Sequence, residues 1–293
     1  MRRKWTVLPV LVVIALIQDA IAASVGEQLQ YASVTIVTAD GSGSGSVVLR
    51  TSADGDEMAL ILTAAHVEAG LRQTNEPEAH DDTTSSVTYA DASIVQEQIA
   101  GGLVIGELKL KAKVVTVSIK RDIALLLVEA RGILRSGVSF AKPNTIPAVG
   151  SPVYHCGSPR GARNGGSLTC GIISYVGRRI SSIDGEERIY DQSDVAAREG
   201  CSGGAVVMQD TGEYIGMITL MMDGGDSFCC LTPIRIIHNW ATEIKSEWVL
   251  DPKIKAPPRE AILKLPIEST PPEMSPRAAG PKSLGIFVRP IGK

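Results

Sequence analysis

The chain has few aromatic residues and no surplus of basic charge. Only 4% of its 293 residues are Phe, Trp or Tyr, and 29 Lys plus Arg stand against 32 Asp plus Glu. Proteins that bind single-stranded nucleic acid use aromatic stacking platforms and basic grooves. The composition therefore argues against nucleic acid as a partner.

Cysteine and histidine are also scarce, and their spacing is not that of a metal site. The five cysteines form no C-x-x-C pair, and the four histidines lie far apart, at His66, His80, His155 and His238. A structural zinc site needs four such ligands at short characteristic spacings. We therefore expect no zinc site.

The composition that remains is that of a globular protein rich in β-structure. Apolar residues make up 44% of the chain, which argues against disorder. Glycine accounts for 29 of the 293 residues, a larger share than the usual ~7%. Short β-branched or apolar runs alternate with Gly, Ser, Asp and Asn across residues 31–236. This pattern predicts an all-β fold of short strands, arranged as barrels or sandwiches. Residues 131–149, with two prolines, read as a connector between two β halves.

The first 22 residues have the pattern of a secretory signal peptide. Three basic residues precede the apolar run 5–17, and Ala20 and Ala22 supply small residues for cleavage after Ala22. An uncleaved membrane anchor is the alternative, but this run is shorter than the ~20 residues that span a bilayer. We expect a periplasmic or extracellular protein with no membrane contact after cleavage.

The end of the chain changes character twice. Residues 233–250 place Ile234, Ile237 and Trp240 at helical spacing, which predicts an amphipathic helix. Residues 251–293 hold nine of the sixteen prolines and carry a net charge of +4, typical of an extended or disordered tail. This tail either docks on the acidic body, whose residues 23–250 carry a net charge of −9, or stays solvated.

The sequence Gly200-Cys-Ser-Gly-Gly204 is a candidate nucleophile loop. A serine between glycines can sit on a tight turn whose amides hold an oxyanion while the hydroxyl attacks a carbonyl. Taken alone the motif is weak, because Gly-Ser turns are common in loops.

A nucleophilic serine needs a base and a group that orients the base. His66 follows the strand-like run 59–62, and Asp122 precedes the strand-like run 123–128. Singly, His66 reads as a structural histidine and Asp122 as a turn residue that binds nearby amides. Together with Ser202 they occur in the order His, Asp, Ser.

Four segments resemble the trypsin/chymotrypsin-like serine proteases, and most closely their HtrA-like branch. The resemblance covers roughly residues 30–240. The segments are 43–48 (GSGSVV) with 63–67 (TAAHV), 121–126 (RDIALL), 149–176 (VGSPVYHCGSPRGARNGGSLTCGIISYV) and 192–206 (QSDVAAREGCSGGAV).

The resemblance implies two antiparallel β-barrels of the chymotrypsin type, in residues 23–133 and 134–250, with a C-terminal helix. It implies His66 as general base, Asp122 as its orienting acid, Ser202 as nucleophile, and the amides of Gly200 and Ser202 as oxyanion hole. No metal or organic cofactor is needed. The expected activity is that of a serine endopeptidase acting on exported or misfolded polypeptides. The alternatives are an inactive binding module on the same fold, or acyl transfer of the esterase type.

The chain also departs from this family. Cys201 stands where the HtrA-like branch usually has Asn, and residues 251–293 are too short and Pro-rich for a PDZ domain. Cys229 and Cys230 fall on residues 227–233, which match the family's substrate-binding edge strand. Two bridges are candidates, one from Cys201 to Cys229 or Cys230 and one between Cys156 and Cys170. The alternative is that several of these cysteines stay as buried small hydrophobic residues, since spacing does not fix connectivity.

The residues that match the family's primary pocket are small and uncharged. Ala196 and Ala197 correspond to its base, and no Asp stands there. The resemblance therefore implies a small-to-medium apolar side chain before the scissile bond, with Cys229 and Cys230 beside the pocket.

Overall fold

A computed structural model describes residues 23–75, 86–100, 103–181, 187–221 and 228–267. The signal peptide predicted for residues 1–22 lies outside this range, as do residues 268–293. Within the described residues, no helix is both long and apolar enough to cross a membrane.

The first half of the fold is a closed antiparallel barrel that follows a short helix, α1 (Val25–Tyr31). Its strands are β1 (Ser33–Val37), β2 (Ser42–Thr51), β3 (Glu57–Thr63), β4 (Arg72–Asn75), β5 (Ser86–Tyr89), β6 (Ala92–Ala100), β7 (Leu103–Ser118) and β8 (Ile123–Val128). The strand order around the barrel is β1-β2-β3-β8-β7-β6, and β4 and β5 pair separately beside it.

Strands β3 and β8 are buried on both faces, which explains their unbroken apolar sequences. Ile61 and Leu126 pack inside the first barrel. Their neighbours Leu60, Leu62 and Leu125 join the large core of the second half. Because successive side chains point to opposite faces of a strand, this pair of strands forms the wall between the two halves.

The second half is also a ring of strands. Its strands are β9 (Ser139–Phe140), β10 (Pro152–Gly157), β11 (Ser167–Ser181), β12 (Glu187–Ser193), β13 (Ala205–Met208), β14 (Glu213–Met221) and β15 (Cys229–Pro233). They are paired in the order β13-β10-β11-β12-β15-β14, pairing of β13 with β14 closes the ring, and β9 runs parallel to β14. The two-barrel prediction is thus confirmed.

The C-terminal helix predicted from residues 233–250 is present but shorter. Helix α2 (Ile234–Glu243) buries Ile234, Ile237 and Trp240 against the second barrel. It stops where Lys245 adopts a φ of +55°, and a 3-10 turn (Glu247–Val249) follows.

Residues 251–267, here called the C-terminal strap, are ordered and packed, so the expectation of an extended tail from residue 251 is wrong for them. Ala256 and Ile262 are fully buried. The strap includes helix α3 (Arg259–Ile262) and returns to the first barrel, where Thr116 Oγ1 donates to the carbonyl of Pro266 at 2.6 Å. Its last described residue, Ile267, packs in the cluster of Ala65.

Candidate active site

His66 lies where β3 ends and a 3-10 turn (Ala65–Leu71) begins. Its ring Nδ1 lies 2.7 Å from Asp122 Oδ2, and its main-chain N–H donates to Asp122 Oδ1 at 2.8 Å. One carboxylate therefore fixes both the ring and the backbone of His66. With Nδ1–H donating to the carboxylate, Nε2 is left as an acceptor.

Asp122 holds this position through an unusual backbone conformation. Its φ is +56°, a left-handed value that is uncommon for residues other than glycine. The residue is buried, and the strand β8 begins directly after it. Such strain persists where the surrounding structure stabilises it, and it is frequent at functional sites.

The pair is electrostatically coupled. Burial raises the pKa of Asp122, but the nearby His66 and Arg188 and the hydrogen bonds from His66 outweigh it, and the net pKa lies below its usual range. Burial alone would lower the pKa of His66, and the charge and hydrogen bond of Asp122 reverse this and raise it. Each partner thus favours the charged form of the other.

Ser202 lies on a loop shaped by two glycines with positive φ. The Cys201 N–H donates to the Arg198 carbonyl at 2.9 Å and Gly200 has a φ of +93°, the combination found in a type II turn. On the other side, Gly203 has a φ of +83°. Within the described residues, the amides of Gly200 and Ser202 donate to no main-chain carbonyl.

This loop packs against the strand end that leads to His66. A Cβ built on Gly203 would lie 2.2 Å from the Ser44 carbonyl oxygen, 2.2 Å from Thr63 Oγ1 and 3.0 Å from the Ala64 nitrogen. Only glycine allows so close an approach. The fold therefore brings the Ser202 loop beside the segment that carries His66.

Ser44, a residue that the sequence did not single out, binds the loop across the two barrels. Its Oγ donates to the Gly200 carbonyl at 2.7 Å and accepts from the Ser158 N–H at 2.8 Å. Its own N–H donates to the Ser202 carbonyl at 2.7 Å. The only available signal was its place in the Gly-Ser-Gly-Ser repeat at the start of the resemblance.

Residues 43–217, more than half of the chain, match the family described as the trypsin-like peptidase domain. The chain belongs to this family. Curated relatives include the serine protease Do-like HtrA of Lactobacillus helveticus, 30% identical over 47% of this chain and 32% of the relative. Serine protease HTRA1 of Xenopus tropicalis is 31% identical over 64% of this chain and 33% of the relative. The chain thus spans about a third of the length of these relatives.

Solved structures share the fold of this chain. The crystal structure of Deg5 has a TM-score of 0.54 and 22% identity, and covers 77% of this chain and 92% of its own. An inactive serine-to-alanine mutant of Rv3671c from M. tuberculosis H37Rv has a TM-score of 0.53 and 18% identity over 79% of this chain and 93% of its own.

The residues expected at the primary pocket differ in accessibility. Ala196 is exposed, and Ala197 is half-buried against the core of the second barrel. Cys229 and Cys230 are buried in β15, which lies between β12 and β14. The expectation that these two cysteines lie on an edge strand is therefore wrong.

All five cysteines are free thiols in this structure, so neither of the two candidate bridges is present. Cys156 is directly opposite Leu168, whereas Cys170 is opposite Tyr154 and exposed. Cys201 and Cys229 are buried, and Cys229 Sγ donates to the Ser193 carbonyl at 3.4 Å. Burial raises the pKa of Cys156 to about 12 and that of Cys230 to about 11, which makes them unreactive as nucleophiles.

Glu68 is a second feature that the sequence did not reveal. It is fully buried two residues after His66, and neither carboxyl oxygen has a hydrogen-bond partner among the described residues. Burial raises its pKa to about 8. No group of three or more His, Cys, Asp or Glu side chains in the described part of the chain is placed to hold a metal ion.

Proposed function

We propose that this chain is a serine endopeptidase that hydrolyses peptide bonds through an acyl-enzyme on Ser202. The observation that carries the proposal is the double contact of Asp122 with the ring and the backbone of His66, on a segment that packs against the Ser202 loop. Family membership supports peptide hydrolysis as the reaction.

In this mechanism His66 moves the proton. Its Nε2 accepts the proton of the Ser202 hydroxyl as Oγ attacks the carbonyl carbon, and then gives it to the departing amine. Water, deprotonated by the same nitrogen, hydrolyses the acyl-enzyme and frees Ser202. Asp122 stays ionised throughout and stabilises the imidazolium, in agreement with its lowered pKa.

The oxyanion of each tetrahedral intermediate would be held by the N–H groups of Gly200 and Ser202. Neither amide is engaged by a main-chain carbonyl among the described residues. Donors fixed before the reaction stabilise developing charge without reorganisation, and losing one such donor costs about 10²–10³ in kcat. Ser44 holds this loop through the carbonyls of Gly200 and Ser202.

We further propose that the substrates are exported or misfolded polypeptides. The predicted signal peptide in residues 1–22 supports export, and a relative from Haemophilus influenzae is named as a probable periplasmic serine protease. Small Ala196 and Ala197 favour a small-to-medium apolar side chain before the cleaved bond.

Labelling by a fluorophosphonate, followed by cleavage of unfolded casein, tests the proposal. We expect Ser202 to be labelled and casein to be cleaved. Ser202→Ala should abolish both, whereas Ser139→Ala, which alters an exposed serine on β9, should retain both. A folded wild-type protein that neither reacts nor cleaves would favour the inactive binding module, and cleavage of esters without peptides would favour esterase chemistry.

A further inference from the structure

The distal part of β7 is an exposed strand edge. Strand β6 pairs with β7 from Leu103 onward, but β8 pairs with β7 only from Ala112. Residues 103–110, here called the β7 edge, therefore have a strand on one side and no strand on the other among the described residues. Edges of this kind are templates for pairing with another chain segment.

The β7 edge is also apolar. Leu103, Val104 and Ile105 are 71%, 57% and 70% exposed, the most accessible run of large apolar side chains among the described residues. The other edge of the β6–β7 pair, which β6 forms, is partly covered. There Gln96 Nε2 donates to the Tyr31 carbonyl, and Glu97 packs near Gly165. The free backbone and the apolar side chains thus belong to β7.

Two carboxylates lie next to this apolar run. Glu97 and Glu107 are directly opposite each other on β6 and β7. Like charges in this relation repel one another, and Lys109 Nζ lies 3.6 Å from a carboxyl oxygen of Glu107. A segment that is apolar and basic would complement the β7 edge in both respects.

We propose that residues 284–288 of this chain (LGIFV) bind the β7 edge as an added strand. This run has no proline and no charge, and Ile286, Phe287 and Val288 favour β-structure. It lies between Lys282 and Arg289, and the nearest acidic residue is Glu273. The chain therefore contains a segment with the required chemistry.

The geometry favours pairing within one molecule. Pro266 contacts Thr116 on β7 itself, about 20 Å along the strand from residue 110. The 17 residues from Ile267 to Leu284 can extend about 56–61 Å, and their average span as a flexible linker is about 21–25 Å. A tether of matching length gives an effective concentration on the order of millimolar, above that of a second copy in solution.

Hydrogen exchange tests the proposal independently of catalysis, in full-length protein carrying Ser202→Ala so that it stays intact. We expect the amides of residues 103–110 to exchange at least ~10-fold faster when the chain ends at Ser283, and a peptide of residues 282–293 to restore the slow exchange. Phe287→Pro, which removes a donor from the added strand, should act like the truncation. Ala279→Pro, outside the segment, is the matched control.

Equal exchange in the full-length and shortened chains would overturn the proposal. Protection that rises with protein concentration, together with a dimeric mass, would assign the edge to a second copy instead. Val104→Lys alters only an exposed side chain and should weaken peptide binding through charge repulsion. Unchanged peptide affinity in this variant would also contradict the assignment.

Discussion

The main-chain N–H of Ser44 donates to the carbonyl oxygen of Ser202 at 2.7 Å, and the hydroxyl of Ser44 holds the carbonyl of Gly200. The first barrel thereby fixes the loop on which the second barrel carries Ser202. Both contacts act on carbonyls, and among the described residues the N–H groups of Gly200 and Ser202 donate to no main-chain carbonyl.

Removing the Ser44 hydroxyl should therefore loosen the Ser202 loop. Ser44→Ala leaves the buried Gly200 carbonyl and Ser158 amide without their partner, which costs about 1–3 kcal/mol of stability. We expect kcat to fall by about 10–100-fold with little change in KM, measured on a peptide substrate. Ser46→Ala is the matched control, because Ser46 is buried on the same strand and no described residue forms a hydrogen bond with its Oγ. Equal activity of the two variants would contradict this role.

The rate should depend on the ionisation of His66. Only the neutral imidazole accepts the serine proton, so kcat/KM should rise with pH through a midpoint above the usual histidine pKa of 6.5, because Asp122 raises that pKa. In Asp122→Asn the midpoint should move to lower pH and kcat should fall about 10⁴-fold. Asp56→Asn, which alters an exposed carboxylate bound to Arg131, should change neither. An identical midpoint in the wild-type protein and in Asp122→Asn would refute the electrostatic coupling of His66 and Asp122.

Glu68 should make stability fall as the pH rises. Its pKa is about 8 in the folded protein and near 4.5 when unfolded, so the folded state binds more protons between these values. The free energy of unfolding should decline from about pH 4.5 and level off above pH 8, by at most about 5 kcal/mol. Denaturant unfolding at several pH values measures this.

Glu68→Met should flatten this decline and stabilise the protein at pH 8, since no hydrogen bond from the described part of the chain to the carboxyl oxygens would be lost. Glu57→Gln, on the exposed first residue of β3, is the control and should leave the slope unchanged. If the free energy of unfolding of Glu68→Met falls with pH as steeply as that of the wild-type protein, a group other than Glu68 causes the decline.

Gly203 should tolerate no side chain. Gly203→Ala combines a left-handed φ of +83° with backbone contacts at 2.2 and 3.0 Å, so the loop must move and activity should be lost. Gly55→Ala separates the two effects, because Gly55 has a φ of +87° and open space around it. We expect about 1–2 kcal/mol of destabilisation and normal activity for Gly55→Ala, measured by thermal unfolding and peptide cleavage. Comparable activity in both variants would contradict the steric argument.

The two barrels and the contact between His66 and Asp122 could be predicted because contiguous motifs carry the family resemblance. Strand alternation and turn residues are local signals, and each site motif adjoins a strand end. The sequence carries no comparable mark for Ser44, whose partners Ser158 and Gly200 lie 114 and 156 residues away.

Other errors also come from long-range packing. The proline content of residues 251–267 indicates an extended chain, yet Ala256 and Ile262 are buried because both join the large core cluster, which also contains Val48 and Met58 of the first barrel. Similarly, cysteine spacing gives no information on which thiols meet. The register of β10 and β11 sets Cys156 opposite Leu168 rather than Cys170.

The return of the C-terminal strap to the first barrel has a consequence for biosynthesis. Ile267 packs in the cluster of Ala65, the residue before His66, although Ile267 lies 202 positions after Ala65 in the chain. A ribosome or an export channel delivers the N-terminal side first, so the surface behind His66 stays incomplete until residue 267 has emerged. The surroundings of His66 are therefore completed only after the chain of both barrels has been delivered.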